Sequence, residues 1–244
     1  MKLLAFDTST DVMSIAVACT AGGQAQQWLH TGTGGAQAST TLIPAVMDLL
    51  QQAGLTLATL DAICFGAGPG SFTGLRTACS VAQGLAFGAG VQVLPVDTLM
   101  AVAEEARYSA LAASPQVYIT ALLDARMDEM YAASYHFAGG LWAEVQSSHL
   151  VRPEDLRLPD SPIANQALAG NVFAVYGARL PADPPGTLGR IPALPTAGAM
   201  LRLAPALLAA GRAVAADQAL PSYIRDKVAK TTAERMAEKA AAAQ

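Results

Sequence analysis

A glycine-rich stretch has the composition of a ligand-binding loop. Residues 66–76 read GAGPGSFTGLR, with four glycines and one proline, and they follow an apolar run at 62–65. A turn of this kind between a strand and a helix often holds a phosphate, because the free N–H groups of the first helical turn point outward there. The first question that the sequence raises is therefore whether this loop binds a phosphate group.

The stretch fits no phosphate-binding or catalytic pattern completely. A P-loop needs a lysine after its last glycine, where this chain has Leu75. A nucleophile elbow needs a glycine two residues before and two residues after Ser71, where this chain has Pro69 and Thr73, so both patterns fail. The dinucleotide-binding fingerprint is closer, because a helix follows the turn and Asp97 ends the next strand. However, Ser71 stands at its sixth position and Pro69 stiffens the loop. In a purely structural reading, the glycines let a helix at 72–87 pack closely on the preceding strand.

Histidine and acidic side chains show no metal-binding spacing. His30, His136 and His149 have no HxxxH or HExxH relation, so we expect no metal site in the chain. The acidic residues that could form a catalytic pair stand where turn-forming aspartates are common; they are Asp7, Asp11, Asp124, Asp128 and Glu129. We therefore expect these acidic residues to form turns rather than a catalytic pair.

The composition predicts a globular protein with a large core. Of the 244 residues 52% are hydrophobic, yet no apolar segment approaches the roughly 20 residues of a membrane helix. The N-terminus lacks the apolar centre of a signal peptide, so we expect a cytoplasmic protein without a membrane partner. A net charge of −4 argues against a surface that grips nucleic acid by itself. Cys19, Cys64 and Cys79 lack CxxC spacing, and we expect buried thiols.

The periodicity predicts two similar α/β halves. The first contains three antiparallel strands, a helix at 39–52, and a crossover in which the glycine turn and a helix join two parallel strands. A second three-strand meander starts after Pro115. This order is that of the two-lobed actin-like, ribonuclease-H-like α/β fold, in which each lobe has a mixed sheet with an antiparallel meander plus helices. We predict lobes at 1–108 and 109–214, a segment at 215–229 that could return to the first lobe, and a flexible tail at 230–244.

Several phrases of the sequence resemble one bacterial protein family. In chain order they are LLAFDTST at 3–10, GPGSFTGLR at 68–76, GLAFG at 84–88, LLDARMDEMYAA at 122–133 and PSYIRDKVA at 221–229. Together they resemble the TsaB (YeaZ) family of tRNA threonylcarbamoyladenosine biosynthesis proteins, and GPGSFTGLR is the most specific of them. The resemblance implies the actin-like fold. One departure is Ala38, which stands where many members of the family have a histidine.

The resemblance also implies a subunit without chemistry of its own. Members of this family lack the metal ligands and the complete nucleotide site of the related catalytic subunit TsaD, and they serve as its partner. With the ATPase TsaE, the complex moves a threonylcarbamoyl group from its adenylate onto N6 of the adenosine beside the anticodon in tRNAs that read codons beginning with A. The isolated chain would then need no cofactor, ATP and a metal ion would belong to the partner subunits, and tRNA would be held only through the complex. A residual nucleotide contact at the subunit junction would involve Gly68, Gly70, Ser71 and Arg76.

The family further implies that two helices form the contact surface, either with a TsaD-type subunit or with a second copy in a homodimer. These are the helices at 39–52 and 72–88, and small residues on the second would allow a close approach of helices. A bulky residue at Gly84 would then disrupt this packing. The predicted interface residues are Leu42, Val46, Leu49, Leu75, Cys79, Ala82 and Gly84.

Two enzymatic alternatives stay open. An independent actin-like ATP-dependent transferase or hydrolase, or an M22-type peptidase, would need Asp7, Thr8 and Ser9 to organise a metal and phosphate site. A dinucleotide-binding enzyme would use the glycine-rich loop. Metal content, ATP turnover by the isolated chain and the absorbance of a bound cofactor distinguish these readings.

Overall fold

Two five-stranded sheets form the centre of the molecule. The structure is a computed structural model, and it describes residues 1–21, 24–160, 163–183 and 185–225. The tail predicted at 230–244 lies outside these residues. Within them, no helix is long and apolar enough to cross a membrane.

The first sheet joins an antiparallel meander to parallel strands. Its strands are β1 (Lys2–Asp7), β2 (Val12–Ala21), β3 (Gln24–Thr33), β4 (Ala62–Gly68) and β5 (Gln92–Asp97). They lie in the order β3-β2-β1-β4-β5. β1, β2 and β3 pair antiparallel, whereas β4 is parallel to β1 and β5 is parallel to β4. The meander and the parallel crossover predicted from the sequence are therefore both confirmed.

Three helices cover the first sheet. Two of them, α1 (Ala38–Gln52) and α2 (Phe72–Ala89), pack on one face, and α5 (Ala197–Ala209) packs on the other. Successive strand residues alternate between these layers, since Leu4 on β1 packs with the first two helices while Leu3 packs with α5. Burial on both faces explains why β1 and β4 are apolar along most of their length.

The second sheet repeats the topology of the first. Its strands are β6 (Gln116–Arg126), β7 (Glu129–Ala138), β8 (Leu141–Val151), β9 (Gln166–Gly170) and β10 (Arg190–Pro192). They lie in the order β10-β9-β6-β7-β8, with an antiparallel meander and two parallel pairings. One face packs against α3 (Thr98–Ala110), and the other contacts the short α4 (Phe173–Tyr176). The two predicted halves are thus present as two sheets with equivalent strand orders.

Two helices do not follow the predicted lobe boundaries, which we correct. Most of α3 falls in the segment assigned to the first lobe (1–108), but α3 packs mainly on the second sheet, and only Ala101 among its buried apolar residues packs with the first. α5 falls in the segment assigned to the second lobe (109–214), but it packs on the first sheet. The two helices also contact each other, and the buried carboxylate of Glu104 on α3 lies 2.8 Å from the guanidinium of Arg202 on α5. Each helix therefore buries its apolar face against a sheet that local sequence does not specify.

The last described residues return to the first lobe. The thiol of Cys79 on α2 donates to the carbonyl oxygen of Ala219, and the amide of Ser222 donates to the carbonyl oxygen of Ala67 at 2.6 Å. Arg225 then pairs with a residue of the β6–β7 hairpin. We call residues 219–225 the strap, because they connect α2 with the second sheet.

Candidate functional site

The glycine-rich loop packs against the loop that follows β1. The amide of Ser71 donates to the carbonyl oxygen of Ser9 at 2.8 Å, and the hydroxyl of Thr8 donates to the carbonyl oxygen of Gly74 at 2.7 Å. A Cβ atom at Gly74 would lie 1.8 Å from the carbonyl oxygen of Thr8, and one at Gly70 would lie 2.6 Å from the Cβ of Ser9. These glycines therefore let two segments approach each other closely, but the segment that they meet is the loop after β1 and not the strand before the helix, which the structural reading of the sequence predicts.

Asp7 is enclosed at the carboxyl end of β1. It is fully buried, and its Oδ1 accepts hydrogen bonds from the amide of Ser9 at 2.9 Å and from the hydroxyl of Ser9 at 2.7 Å. Its Oδ2 has no hydrogen-bond partner among the described residues and packs against Gly66. Burial raises the pKa of Asp7 to about 7, because desolvation disfavours the ionised form.

The three residues that an enzymatic reading would need are turned inward. Asp7, Thr8 and Ser9 are at most 3% exposed, and internal hydrogen bonds engage all three side chains. In the described parts of the chain, no group of three or more His, Cys, Asp or Glu side chains is arranged to hold a metal ion. Asp97, which a dinucleotide reading would place on a ribose, instead accepts from the amide of Met100 and the hydroxyl of Tyr135, both at 2.8 Å.

A cleft of about 300 Å³ lies beside these loops, between the two sheets. The loop after β1 and the glycine-rich loop form one side, and the β6–β7 turn and the strap form the other. The turn has an unusual backbone, since Arg126, Met127 and Asp128 have φ values of 61°, 55° and 66°, in the left-handed region that favours glycine. Such backbone conformations are found more often near functional sites than elsewhere.

Ion pairs border this cleft on both sides. Arg126 lies 2.9 Å from Asp11 of the first lobe and 3.4 Å from Asp124 of the second. Arg225 of the strap lies 2.7 Å from Glu129. The first of these pairs is largely exposed and contributes little to stability, whereas Arg225 is only 13% exposed.

The structure separates the four predicted nucleotide-contact residues. Gly70 and Ser71 line the cleft, and the Ser71 hydroxyl also caps α2 by accepting from the amide of Gly74. Gly68 is buried, and a Cβ there would lie 2.4 Å from a strap carbonyl oxygen. Arg76 is exposed and does not line the cleft, but its guanidinium stacks on the Phe72 ring at 3.9 Å and donates to the Tyr223 hydroxyl at 3.0 Å, and both of these residues do. Gly70 and Ser71 are therefore the two predicted residues that line the cleft.

Six of the seven predicted interface residues lie in the chain's own core, so this assignment is corrected. They are Leu42, Val46, Leu49, Leu75, Cys79 and Ala82, none more than 5% exposed. Gly84 alone is on the outside of α2. The helical periodicity of the sequence reveals the apolar stripe of each helix, but this stripe packs on the first sheet.

The outer surface of the same helices carries different apolar residues. Ile43 and Met47 on α1 are 45% and 47% exposed, and Phe87 on α2 is 83% exposed. We call this surface, together with Gly84, the α1–α2 face. Its residues lie off the buried stripe, and apolar side chains outside the stripe of an amphipathic helix are the signal in the sequence that could have identified them.

The chain is similar over almost its whole length to known proteins. The family model described as TsaD, tRNA N6-adenosine threonylcarbamoyltransferase, matches residues 24–241. The tRNA threonylcarbamoyladenosine biosynthesis protein TsaB of Escherichia coli (strain K12) is 32% identical over 94% of this chain and 96% of its own length. TsaB of Haemophilus influenzae is 32% identical over 93% of this chain and 95% of its own length. The structure of YeaZ from Pseudomonas aeruginosa matches with a TM-score of 0.79 at 37% identity, covering 91% of this chain and 99% of that one. The two-lobed actin-like α/β fold is thereby confirmed.

Proposed function

Because the chain belongs to the TsaB (YeaZ) family and so acts in tRNA threonylcarbamoyladenosine biosynthesis, we propose that it is a non-catalytic subunit of the transferring complex. In this proposal it docks in the cytoplasm onto a TsaD-type subunit, which supplies the metal ion and the nucleotide site. A TsaE-type ATPase completes the complex, and tRNA is bound only through it. The chain then stabilises the active conformation of its catalytic partner.

The α1–α2 face is the observation that carries this proposal. Phe87 on α2, with Ile43 and Met47 on α1, leaves large apolar side chains exposed on two helices that contact each other, and exposed apolar patches mark interaction sites. Nothing lies within 4 Å of a Cβ placed at Gly84 or Gly88, so the backbone of α2 is open to a close approach. A helix of a TsaD-type subunit, or α2 of a second copy, would bury this surface. The homodimer and the heterodimer would then compete for the same face.

Light scattering coupled to size-exclusion chromatography tests the docking. We expect the chain and the TsaD-type protein of the same organism to form a 1:1 complex, which restores threonylcarbamoyladenosine formation when TsaE, ATP, tRNA and the threonylcarbamoyl adenylate are added. Absence of a complex between two folded proteins would contradict the proposal. So would modification of tRNA, with turnover of ATP, by this chain alone.

The variant Gly84→Leu tests the face itself. Because the site is open, the isolated variant should fold as the wild type does. Affinity for the partner should fall roughly 10- to 100-fold, because the added side chain overpacks the interface. The control is Leu141→Ser, which changes a 64%-exposed side chain on the second sheet and should leave affinity unchanged. Equal affinity of both variants would place the interface elsewhere.

A further inference from the structure

The cleft between the lobes carries balanced charge. The charged side chains among the described residues that line it are two carboxylates and two guanidinium groups, Asp11, Asp124, Arg126 and Arg225. A polyphosphate in this cleft would be repelled by both carboxylates. The cleft also lacks the excess of positive charge that binds such a ligand. A ligand with one charge of each sign matches this lining better.

Arg225 has donors left over for a ligand. Its Nη2 lies 2.7 Å from the carboxylate of Glu129, but its Nη1 contacts only the Sδ of Met127, and thioether sulfur is a weak acceptor. The Nε atom also lacks an acceptor among the described residues, but it is buried, so Nη1 is the donor that remains for a ligand in the cleft. A planar guanidinium is well suited to a carboxylate. A carboxylate entering the cleft would therefore find an arginine that is only partly engaged.

Asp124 offers the complementary charge. It is 15% exposed, and its Oδ1 accepts from the amide of Arg126 at 2.8 Å and from the hydroxyl of Tyr176 at 3.1 Å. Its Oδ2 has only the guanidinium of Arg126 at 3.4 Å, which is longer than a charge-assisted hydrogen bond. An ammonium group could bind at this oxygen without displacing the bonds that fix the carboxylate.

The rest of the lining sets the size and polarity of the ligand. Leu75, Leu123, Tyr131 and Ile224 provide apolar surface next to the charged groups. A volume of about 300 Å³ lies at the lower end of the range for small-molecule sites. Both features favour a compact ligand with an apolar side chain.

We propose that the cleft binds a small zwitterion, an amino acid or dipeptide with an apolar side chain. Its carboxylate lies on Arg225, its ammonium group lies on Asp124, and its side chain contacts the apolar wall. This site shares no residue with the α1–α2 face, so the binding of a zwitterion and the docking of a partner can be tested separately.

Calorimetric titration of the full-length chain with L-leucine, L-phenylalanine and the dipeptide Leu-Leu tests the proposal. We expect saturable binding of at least one of them and at least about tenfold weaker binding of the matched compounds that lack one charge, since each loses a charge-assisted hydrogen bond. For leucine these are isocaproate, without the ammonium group, and isoamylamine, without the carboxylate. The proposal would be overturned if none of the zwitterions saturates the protein at concentrations up to about 10 mM, because weaker binding would not be specific. Equally tight binding of isocaproate or of inorganic phosphate would also overturn it, because a simple anion site would explain both.

Variants locate the bound ligand. Arg225→Met and Asp124→Asn should each weaken zwitterion binding at least about tenfold. Arg225→Lys, which keeps the positive charge, should recover part of the affinity. Arg179→Met is the matched control, because Arg179 also pairs with acidic residues but does not line the cleft. Circular dichroism of each variant verifies folding, and unchanged affinity in folded Arg225→Met and Asp124→Asn would overturn the assignment.

Discussion

Gly74 and Gly84 lie on the same helix and have opposite surroundings. A Cβ at Gly74 would lie 1.8 Å from a backbone oxygen, whereas a Cβ at Gly84 would meet nothing within 4 Å. We expect Gly74→Ala to lower the free energy of unfolding by at least about 1–3 kcal/mol, because the loop after β1 must move. Gly84→Ala should raise it by about 0.5–1 kcal/mol, because alanine favours the helix. Urea denaturation measures both, and similar effects of the two variants would contradict this account.

The sequence predicts the turn at these glycines but not what they contact. GPGSFTGLR reads as a loop between a strand and a helix, and this is what the structure contains. Glycine is required at Gly70 and Gly74 because the loop at residues 8–9 lies against them, and this loop is distant from them in the sequence. Close contacts between distant backbone segments leave no local pattern, so a phosphate-binding role and a packing role could not be separated from sequence alone.

Asp7 makes stability depend on pH. Its pKa is about 7 in the folded chain because of burial, and near 4 when the chain unfolds. Folding therefore takes up a proton between these values, so the contribution of Asp7 to stability is greatest below pH 4 and falls by up to roughly 4 kcal/mol as the pH rises to about 7. We expect Asp7→Asn, which cannot ionise, to remove this decrease.

Urea denaturation of both proteins at several pH values between 4 and 8 measures the effect. The variant should be close to the wild type at pH 4 and more stable at pH 8, where the wild type holds a buried carboxylate with an unpaired oxygen. A stability difference that does not change with pH would show that Asp7 does not titrate in this window.

At the scale of elements, the turn of the β6–β7 hairpin has an unfavourable backbone conformation. Met127 has a φ of 55°, and a non-glycine residue in the left-handed region costs about 1–2 kcal/mol. We expect Met127→Gly to raise the free energy of unfolding by about 1 kcal/mol, since the side chain is 64% exposed and buries little. Met47→Gly, in the interior of α1, is the matched control and should lower it by about 1 kcal/mol. Destabilisation by both changes would show that the turn is not strained.

The helices show what periodicity can and cannot predict. The apolar residues of α1 and α2 recur at helical spacing, and the structure has helices at the predicted places. The sequence predicts a partner interface from these residues, but five of the seven pack in the core on the first sheet: Leu42, Val46, Leu49, Cys79 and Ala82. Periodicity identifies a buried face without naming what buries it, and the exposed Phe87 has no periodic signal because it stands apart from the stripe.

At the scale of the molecule, the two lobes are joined through their helices. The repeated order of elements predicts two similar halves, and the equivalent strand orders confirm them. The exchange of α3 and α5 between the sheets could not be predicted, because it depends on contacts between segments that are distant in the sequence. It follows that neither lobe has a complete core alone, so both should unfold in one cooperative transition.

A buried hydrogen bond between the lobes provides a test of this coupling. The hydroxyl of Tyr135, on the second sheet, donates at 2.8 Å to the carboxylate of Asp97, which ends β5 and caps α3. Tyr135 is fully buried, so Tyr135→Phe keeps the packing but removes a donor from the carboxylate. We expect a loss of about 1.5–3 kcal/mol in the free energy of unfolding, the usual value for a hydrogen bond to a charged group.

The matched control is Tyr118→Phe on the same sheet, where the tyrosine ring stacks on His136 and the change should cost less than about 0.5 kcal/mol.

Burial already raises the pKa of Asp97, and removing the Tyr135 hydroxyl should raise it further. A carboxyl group whose pKa is raised in the folded state stabilises the fold less as the pH rises. The loss in the free energy of unfolding caused by Tyr135→Phe should therefore be larger at pH 7 than at pH 4. If the two lobes fold as one unit, this deficit appears in a single transition observed by fluorescence and by circular dichroism. Two separate transitions, with only one of them shifted, would show that the lobes unfold independently.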